Sequence, residues 1–391
     1  MNPTLSLYVH LPWCVQKCPY CDFNSHAAGD AAPRQRYLDA VLRDLETEAS
    51  RAAERPVESV FLGGGTPSLF SPGEIARVLR GVRDNFTLAP DAEITMEANP
   101  GTVECGDPAG YRDAGVNRLS FGGQSFNDDL LQKIGRIHSS EDIVRAVHDA
   151  RNAGIENINI DLMHGLPGQG VAAALDDLRA AMELEPAHLS WYQLTLEPNT
   201  IFYARPPADL PDDETTWEIQ EHGQALLADS GYVQYEVSAY ARDRQHCRHN
   251  LNYWLFGDYL AVGAGAHGKF SNASGVFRYI KPANPLQYMR TMESGTTVPD
   301  LAPLPNSDLV FEFMLNALRL TDGFSESVFA ERTGGSAGDL DSIMRAAREK
   351  GLVSRDDQAV WRPTSLGRRF LNDLQAEFLP GADRKSAFEA F

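Results

Sequence analysis

Three cysteines, Cys14, Cys18 and Cys21, fall within one short run and are spaced CxxxCxxC. Thiolates that close can converge on one metal centre, and two kinds of centre compete. A structural zinc site needs four ligands, and His10 and His26 lie near enough in sequence to be considered for the fourth. An iron-sulfur cluster held by three cysteines leaves one iron open to a small-molecule ligand. A disulfide framework fits less well, because the 391-residue chain has five cysteines, an odd number, and three of them are bunched.

The cysteines need elements to hold them, and the first half of the chain supplies a regular alternation. β-type runs at 6–11, 59–62, 93–97, 117–121, 157–162 and 188–194 are separated by helical patterns. Tyr37, Leu38, Val41, Leu42 and Leu45 follow a 3.6-residue period, as do Ile75, Val78, Leu79 and Val82. Ser71, Pro72 and Glu74 form a helix-start signal, and Gly154 follows a third helical run at the place of a C′ glycine. Such alternation predicts an α/β fold with a parallel sheet. Each strand runs into an unusual sequence: the cysteines, then Gly63-Gly64-Gly65-Thr66-Pro67, Glu97-Ala98-Asn99-Pro100, Gly122-Gly123-Gln124-Ser125, Asp161 with Gly165, and Gln193 to Glu197. One face ringed by such loops describes a partial (β/α)6 barrel over residues 1–205. An acidic stretch, 206–214, opens an accessory α+β region expected over 206–300 and is a candidate hinge. Residues 301–391 read as helices around a small hairpin, a winged-helix-like module.

Charge narrows the function classes. Lys and Arg number 35 and Asp and Glu 54, a net charge of −19, which argues against non-specific contact with nucleic acid or an anionic membrane. The C-terminal module, with 11 basic and 14 acidic residues, has no basic footprint either, so docking or structure is its expected role. The start of the chain lacks the basic and apolar regions of a targeting segment, and no apolar run reaches the roughly 20 residues of a membrane span. A reducing cytoplasm is the expected compartment.

CxxxCxxC at the end of a first strand, with Tyr20 before the last cysteine, resembles the radical S-adenosylmethionine (SAM) superfamily. In that family three cysteines hold a 4Fe-4S cluster, SAM chelates the fourth iron, and the reduced cluster can cleave SAM to a 5′-deoxyadenosyl radical. The resemblance implies the same metal ligands here: Cys14, Cys18 and Cys21. It extends to Gly64, Gly65 and Thr66, where glycine allows close backbone approach to SAM. Glu97 matches a residue for the SAM amine or ribose. Gln124, Arg136 and Asp161 match residues for the ribose and carboxylate, Arg136 offering the fork geometry suited to a carboxylate. Tyr8 and Tyr20 match further SAM-contacting positions. Each taken singly has a structural alternative: a tight turn, a solvated carboxylate, a core aromatic.

The resemblance narrows to the group containing oxygen-independent coproporphyrinogen III oxidase and the HemW heme chaperones. The oxidase pattern continues CxxxCxxCxC, whereas this sequence has Cys21-Asp22-Phe23, the HemW pattern. The oxidase also carries an N-terminal extension, for which a first cysteine at residue 14 leaves no room. His249-Asn250-Leu251-Asn252-Tyr253-Trp254 matches the HNxxYW motif of HemW and lies among Arg242, Arg244, His246, Cys247 and Arg248. Imidazole or thiolate for iron, arginines for propionates and aromatic faces for the macrocycle make this a heme site with His249 as the candidate ligand. The alternative is a structural corner, with Tyr253 and Trp254 in the core. Gly123 departs from the family, which usually has a larger apolar residue there. The resemblance thus implies a protein that binds heme, a 4Fe-4S cluster and exchangeable SAM, and passes heme to an acceptor hemoprotein, membrane-associated acceptors included. A homodimer is a further expectation. The rival is an enzyme that decarboxylates coproporphyrinogen III. Cys105 has no assigned role.

Overall fold

Strand β1 (Leu5–Leu11) is almost wholly buried and feeds the cysteine loop, which is clasped by the short parallel strands β2 (Trp13–Cys14) and β3 (His26–Ala27). In this computed structural model residues 3–29, 32–101, 106–295 and 301–379 are described; Cys105 lies outside them. Helices and strands then alternate: α1 (Arg34–Ala52), β4 (Val57–Gly64), α2 (Pro72–Asn85), β5 (Leu88–Ala98), α3 (Pro108–Ala114), β6 (Arg118–Gln124), α4 (Asp128–Lys133), α5 (Ser140–Asn152), β7 (Asn157–His164), α6 (Val171–Glu183) and β8 (His188–Gln193). The start of α2 is the capping box expected from Ser71 and Glu74, and Ser139 with Asp142 builds a second one for α5. Gly154 follows α5 with φ 86°, the left-handed turn that glycine allows at little cost.

The chain continues through α7 (Ile201–Ala204), α8 (Asp213–Asp229), β9 (Val233–Glu236), β10 (Ala239–Ala241), α9 (Arg248–Trp254), β11 (Asp258–Val262), β12 (His267–Asn272), β13 (Gly275–Ile280) and α10 (Pro285–Glu293). Apart from β2 and β3, the strands from β1 to β13 join one sheet in the order β13-β12-β11-β1-β4-β5-β6-β7-β8-β10-β9. From β11 to β8 the neighbours are parallel, so the six expected barrel strands are present and β11 adds a seventh beside β1. Residues 206–300, expected as an accessory region, supply strands to both edges of the barrel sheet. The candidate hinge is tied down within it: the Asp209 carbonyl accepts from the Gly168 amide at 2.5 Å and Asp212 caps α8.

Alternation along the strands separates two environments. Val60, Leu62, Ile94, Met96, Leu119, Phe121, Ile158 and Ile160 are buried in the core shared with the helices. The other face of the same strands carries Thr95, Glu97, Arg118, Ser120, Asn159, Asp161, His188 and Ser190, which line a cavity inside the barrel. Helix α9 closes that interior from below, at the N-terminal ends of β1, β4 and β11: Asn252 donates to Ser6 Oγ and the Asp258 carbonyl, and His249 meets Ser59.

The C-terminal part comprises α11 (Asn306–Ala317), β14 (Phe324–Ser325), α12 (Glu326–Thr333), α13 (Gly338–Glu349), β15 (Val353–Arg355), β16 (Val360–Pro363), α14 (Ser365–Arg369) and α15 (Leu371–Ala376). The expected hairpin is β15–β16, joined by β14. Phe313, Phe329, Met344 and Trp361 centre a core of its own, which also takes in Phe256 and Val276 from the sheet side.

Candidate functional site

The cysteine loop is fixed by backbone bonds from both ends. His26 donates to the Pro12 carbonyl and Ala28 to the Cys14 carbonyl, each at 2.7 Å. The C-terminal end of β4 lies against the loop, with Gly65 N–H donating to Leu11 and Thr66 N–H to Trp13, each at 2.8 Å. Glycine is demanded here by packing. A Cβ on Gly64, whose φ is +112°, would lie 2.3 Å from the His10 ring, and one on Gly65 would lie 2.7 Å from the Trp13 carbonyl oxygen. Sequence reasoning attributed these glycines to close approach of a ligand; in the structure they let β4 touch the cysteine loop.

One cavity of about 130 Å³ collects Cys14, Cys18, Cys21, Tyr20, Gly64, Gly65, Thr66, Glu97, Gln124, Arg136 and Asp161. These come from the loop, from the ends of β4, β5, β6 and β7, and from the turn after α4. Tyr8 stands outside it, deeper on β1, where its hydroxyl meets His10 Nδ1 at 2.9 Å. Asn99, Tyr192 and Ser25 also line the cavity and were not singled out from the sequence. Tyr192 was legible in principle, since it shares a strand face with His188 and Ser190.

The donors fit a cluster with a polar ligand better than a single zinc ion. All three thiols are free, and burial raises the Cys14 and Cys21 thiols, opposed by hydrogen bonding to Thr66 and Ser25. The histidines considered as a fourth zinc ligand are committed elsewhere: His10 to Tyr8 and the Asn24 carbonyl, His26 to Asn24 Oδ1. Arg136 reaches Cys18 Sγ at 3.5 Å, Asn99 Oδ1 at 2.9 Å and the Gly122 carbonyl at 3.0 Å, bridging the loop to β5 and β6. Gln124 holds φ at 63°, in the left-handed region, beside a register shift in the β6–β7 pairing. Its buried Oε1 has no partner among the described residues. Strain and an unsatisfied acceptor together cost about 2–5 kcal/mol, a pattern expected where a ligand completes the hydrogen bonding. Gly123 in the same bulge would need Ile160 to yield if it bore a Cβ, which would approach at 3.2 Å.

Glu97 and Asp161 face each other's field at the base of this cavity. Burial, then Asp161, pushes Glu97 up to about 8, and its one hydrogen bond among the described residues is from Gly64 N–H at 3.0 Å. Asp161 is also raised by burial, against hydrogen bonds from Ser120 and Asn159. Two buried carboxylates without an ion-paired cation among the described residues suit a ligand that brings ammonium and hydroxyl donors.

The second motif is arranged differently. His249 is only 2% exposed; its Nδ1 lies 3.1 Å from Ser59 Oγ, and its ring stacks on Phe61 at 4.9 Å. Burial depresses it to about 3. Cys247 is buried against Glu93. The arginines do not converge: Arg242 stacks on Tyr232, and Arg248 binds Asp91 and Glu58. Of the expected heme-site residues, His249, Cys247 and Tyr253 line the cavity inside the barrel, while Arg242 and Arg248 are engaged elsewhere. His249 forms part of the barrel floor, with Tyr253 and Trp254 half-buried beside it and its buried Nε2 without a hydrogen-bond partner among the described residues.

A radical SAM superfamily model matches residues 8–181, and a HemN C-terminal domain model matches residues 304–370. A protein named heme chaperone HemW from Haemophilus influenzae is 48% identical over 96% of this chain and 98% of its own length. This chain belongs to the HemW family. Its members from Escherichia coli and Bacillus subtilis are 47% and 34% identical, each over 96% of this chain. Among solved structures, coproporphyrinogen III oxidase (HemN) from Escherichia coli superimposes with a TM-score of 0.80 at 26% identity, covering 97% of this chain and 91% of that one. Membership in the HemW family brings the radical SAM cofactors, a 4Fe-4S cluster and SAM, to a cavity whose free thiols and unsatisfied Gln124 suit them.

Proposed function

We propose that this protein binds heme and passes it to an acceptor hemoprotein, with a 4Fe-4S cluster on Cys14, Cys18 and Cys21 and SAM in the adjoining cavity. The observation that carries the reading is near-full-length similarity to proteins named heme chaperone HemW. Glu97, Gln124, Arg136 and Asp161 are the SAM-binding residues, with Gly64, Gly65, Thr66 and Tyr20 shaping the wall. Tyr8 acts from behind, through His10. The cluster, when bound, supplies one-electron chemistry, while this chain orients SAM and keeps water from it. The chain divides into a barrel body reaching to about residue 295 and the C-terminal module, the latter a docking surface for the acceptor, soluble or membrane-associated. Among the described residues no helix is long and apolar enough to cross a membrane; the cytoplasm is the compartment that suits three free thiols, and a dimer is the assembly to look for.

Hemin titration of the cluster-reconstituted protein, followed by mixing with an apo-hemoprotein, tests this reading. A saturable Soret complex and transfer of its heme are expected; absence of any complex overturns it. A second reading, radical coproporphyrinogen III oxidation, is favoured by the likeness to the oxidase structure and by the complete cavity. Multiple-turnover protoporphyrinogen formation under anaerobic reducing conditions with SAM would establish that reading in place of the first.

A further inference from the structure

A second cleft, about 510 Å³, opens beside the cofactor cavity and shares Phe23, Gly64 and Glu97 with it. Its volume falls in the range of small-molecule sites. Aromatic side chains line it from three directions: Tyr8 on β1, Tyr253 on α9 and Tyr259 on β11, with Phe23 of the cysteine loop at the rim. Phe23 is 60% exposed, and Ile280, the cross-strand partner of His267, is 61% exposed. Directly paired residues project from the same sheet face. The mouth of the cleft therefore presents apolar surface to solvent on two separate elements.

Two histidines line this cleft. His10 is buried, with both ring nitrogens engaged by Tyr8 and Asn24. His267, at the start of β12, is exposed and has no hydrogen bond to any described residue. Partial desolvation and the nearby Arg278 hold its imidazole below the ordinary value, so at neutral pH a ring nitrogen keeps the lone pair that iron takes. Arg278, on the neighbouring strand, adds positive charge to the wall, although Glu312 and Tyr259 share it.

We propose that heme docks in this cleft, with His267 as an axial ligand of the iron and the macrocycle held between Phe23 and the Tyr253–Tyr259 wall. The proposal rests on the heme-binding reading above and gives it a location. It assigns Tyr253, not His249, as the contribution of the HNxxYW segment to the heme pocket. It also places the macrocycle against Phe23 and Gly64, the residues it would share with the cluster cavity.

Hemin is titrated into the full-length, cluster-reconstituted protein and into its His267→Ala and Phe23→Asp variants, with Soret absorption and electron paramagnetic resonance as readouts. The wild type should give a saturable complex with the signature of imidazole ligation. His267→Ala should lose that signature and bind roughly tenfold or more weakly, and added free imidazole should restore the spectrum. Phe23→Asp should weaken binding while keeping the imidazole signature. Wild-type affinity and spectrum in His267→Ala would overturn the cleft and leave the heme reading standing. No saturable complex in the wild type would overturn the heme reading itself. Because His267 is exposed, loss of binding in its variant is separable from unfolding, and imidazole rescue makes the distinction directly.

Discussion

Two groups of buried carboxylates sit in the same barrel and are treated in opposite ways. Asp44 and Glu48 on α1 share Lys281, whose Nζ lies 2.6 Å from each, and Tyr288 and Tyr279 donate to their remaining oxygens. That network is closed, so its charges lock α1 to the β13 end of the sheet. Glu97 and Asp161 have hydrogen bonds but no ion-paired cation among the described residues; burial raises Asp44 as it raises these two, and of the three only Asp44 has an ion pair to oppose it. Burying charge is expensive unless it is paired. The contrast shows which carboxylates were placed for the fold and which are held ready for a ligand that supplies the missing donors.

Removing the cation of the closed group should give the largest effect. Lys281→Met leaves Asp44 buried without a counter-charge and Glu48 with Arg51 alone, and should lower unfolding stability by about 3–5 kcal/mol, read from urea denaturation at neutral pH. A loss of under about 1 kcal/mol would mean the network is not closed as described.

His249→Ala ranks next. The ring fills space against Phe61 and Ser59, so its removal should cost about 2–3 kcal/mol, seen as a lower denaturation midpoint. The imidazole signature of the hemin complex should persist.

Glu97→Gln tests the open group in the other direction. Below about pH 4.5 Glu97 is protonated in both folded and unfolded chains; between there and about 8 only the unfolded chain ionises, so stability falls as pH rises through that window. The tyrosines and acid facing it, Tyr8, Tyr192 and Asp161, supply no positive charge to cancel this slope. The Gln variant should flatten it, gaining on the order of 1–2 kcal/mol in the cofactor-free protein near its upper end, while binding SAM more weakly. Denaturation at a series of pH values gives the first readout and equilibrium dialysis of SAM the second. An unchanged slope would remove Glu97 from the open group.

The smallest effect is expected from an exposed pair. Arg36 and Glu293 meet at 2.6 Å with both side chains well exposed. Arg36→Ala should leave the melting temperature unchanged within error, because solvent and salt screen such pairs.

Much of this was legible along the chain. All six expected strands form, because period-2 and period-3.6 patterns record which face is buried. The capping box at Ser71 is local chemistry and needs no tertiary context. Every residue expected for the cluster or SAM except Tyr8 reaches one cavity, since most lie near a strand end and parallel strands bring those ends to one side. Tyr8 missed by one pleat: His10, two residues on, occupies the layer above it. What the sequence did not show is the contact each residue makes with distant partners. His249 was read from its neighbours Arg, Cys and Trp, whereas Ser59 and Phe61, which pack against its ring, lie nearly half the chain away in sequence. Gly64 and Gly65 were expected to make room for a ligand, and the structure adds that they also make room for His10 and Trp13.

The sequence by itself determined the cysteine triplet, the βα order and the polar residues at the strand ends, all of which depend on short spacings. Only the tertiary structure decided which histidines are accessible, that residues 206–300 supply strands to both edges of the barrel sheet, and that Glu97 has no ion-paired cation among the described residues while Asp44 has one. Those properties depend on what distant segments bring within a few ångströms. Burial, and with it the price of charge, is a property of the assembled sheet and not of any stretch of chain.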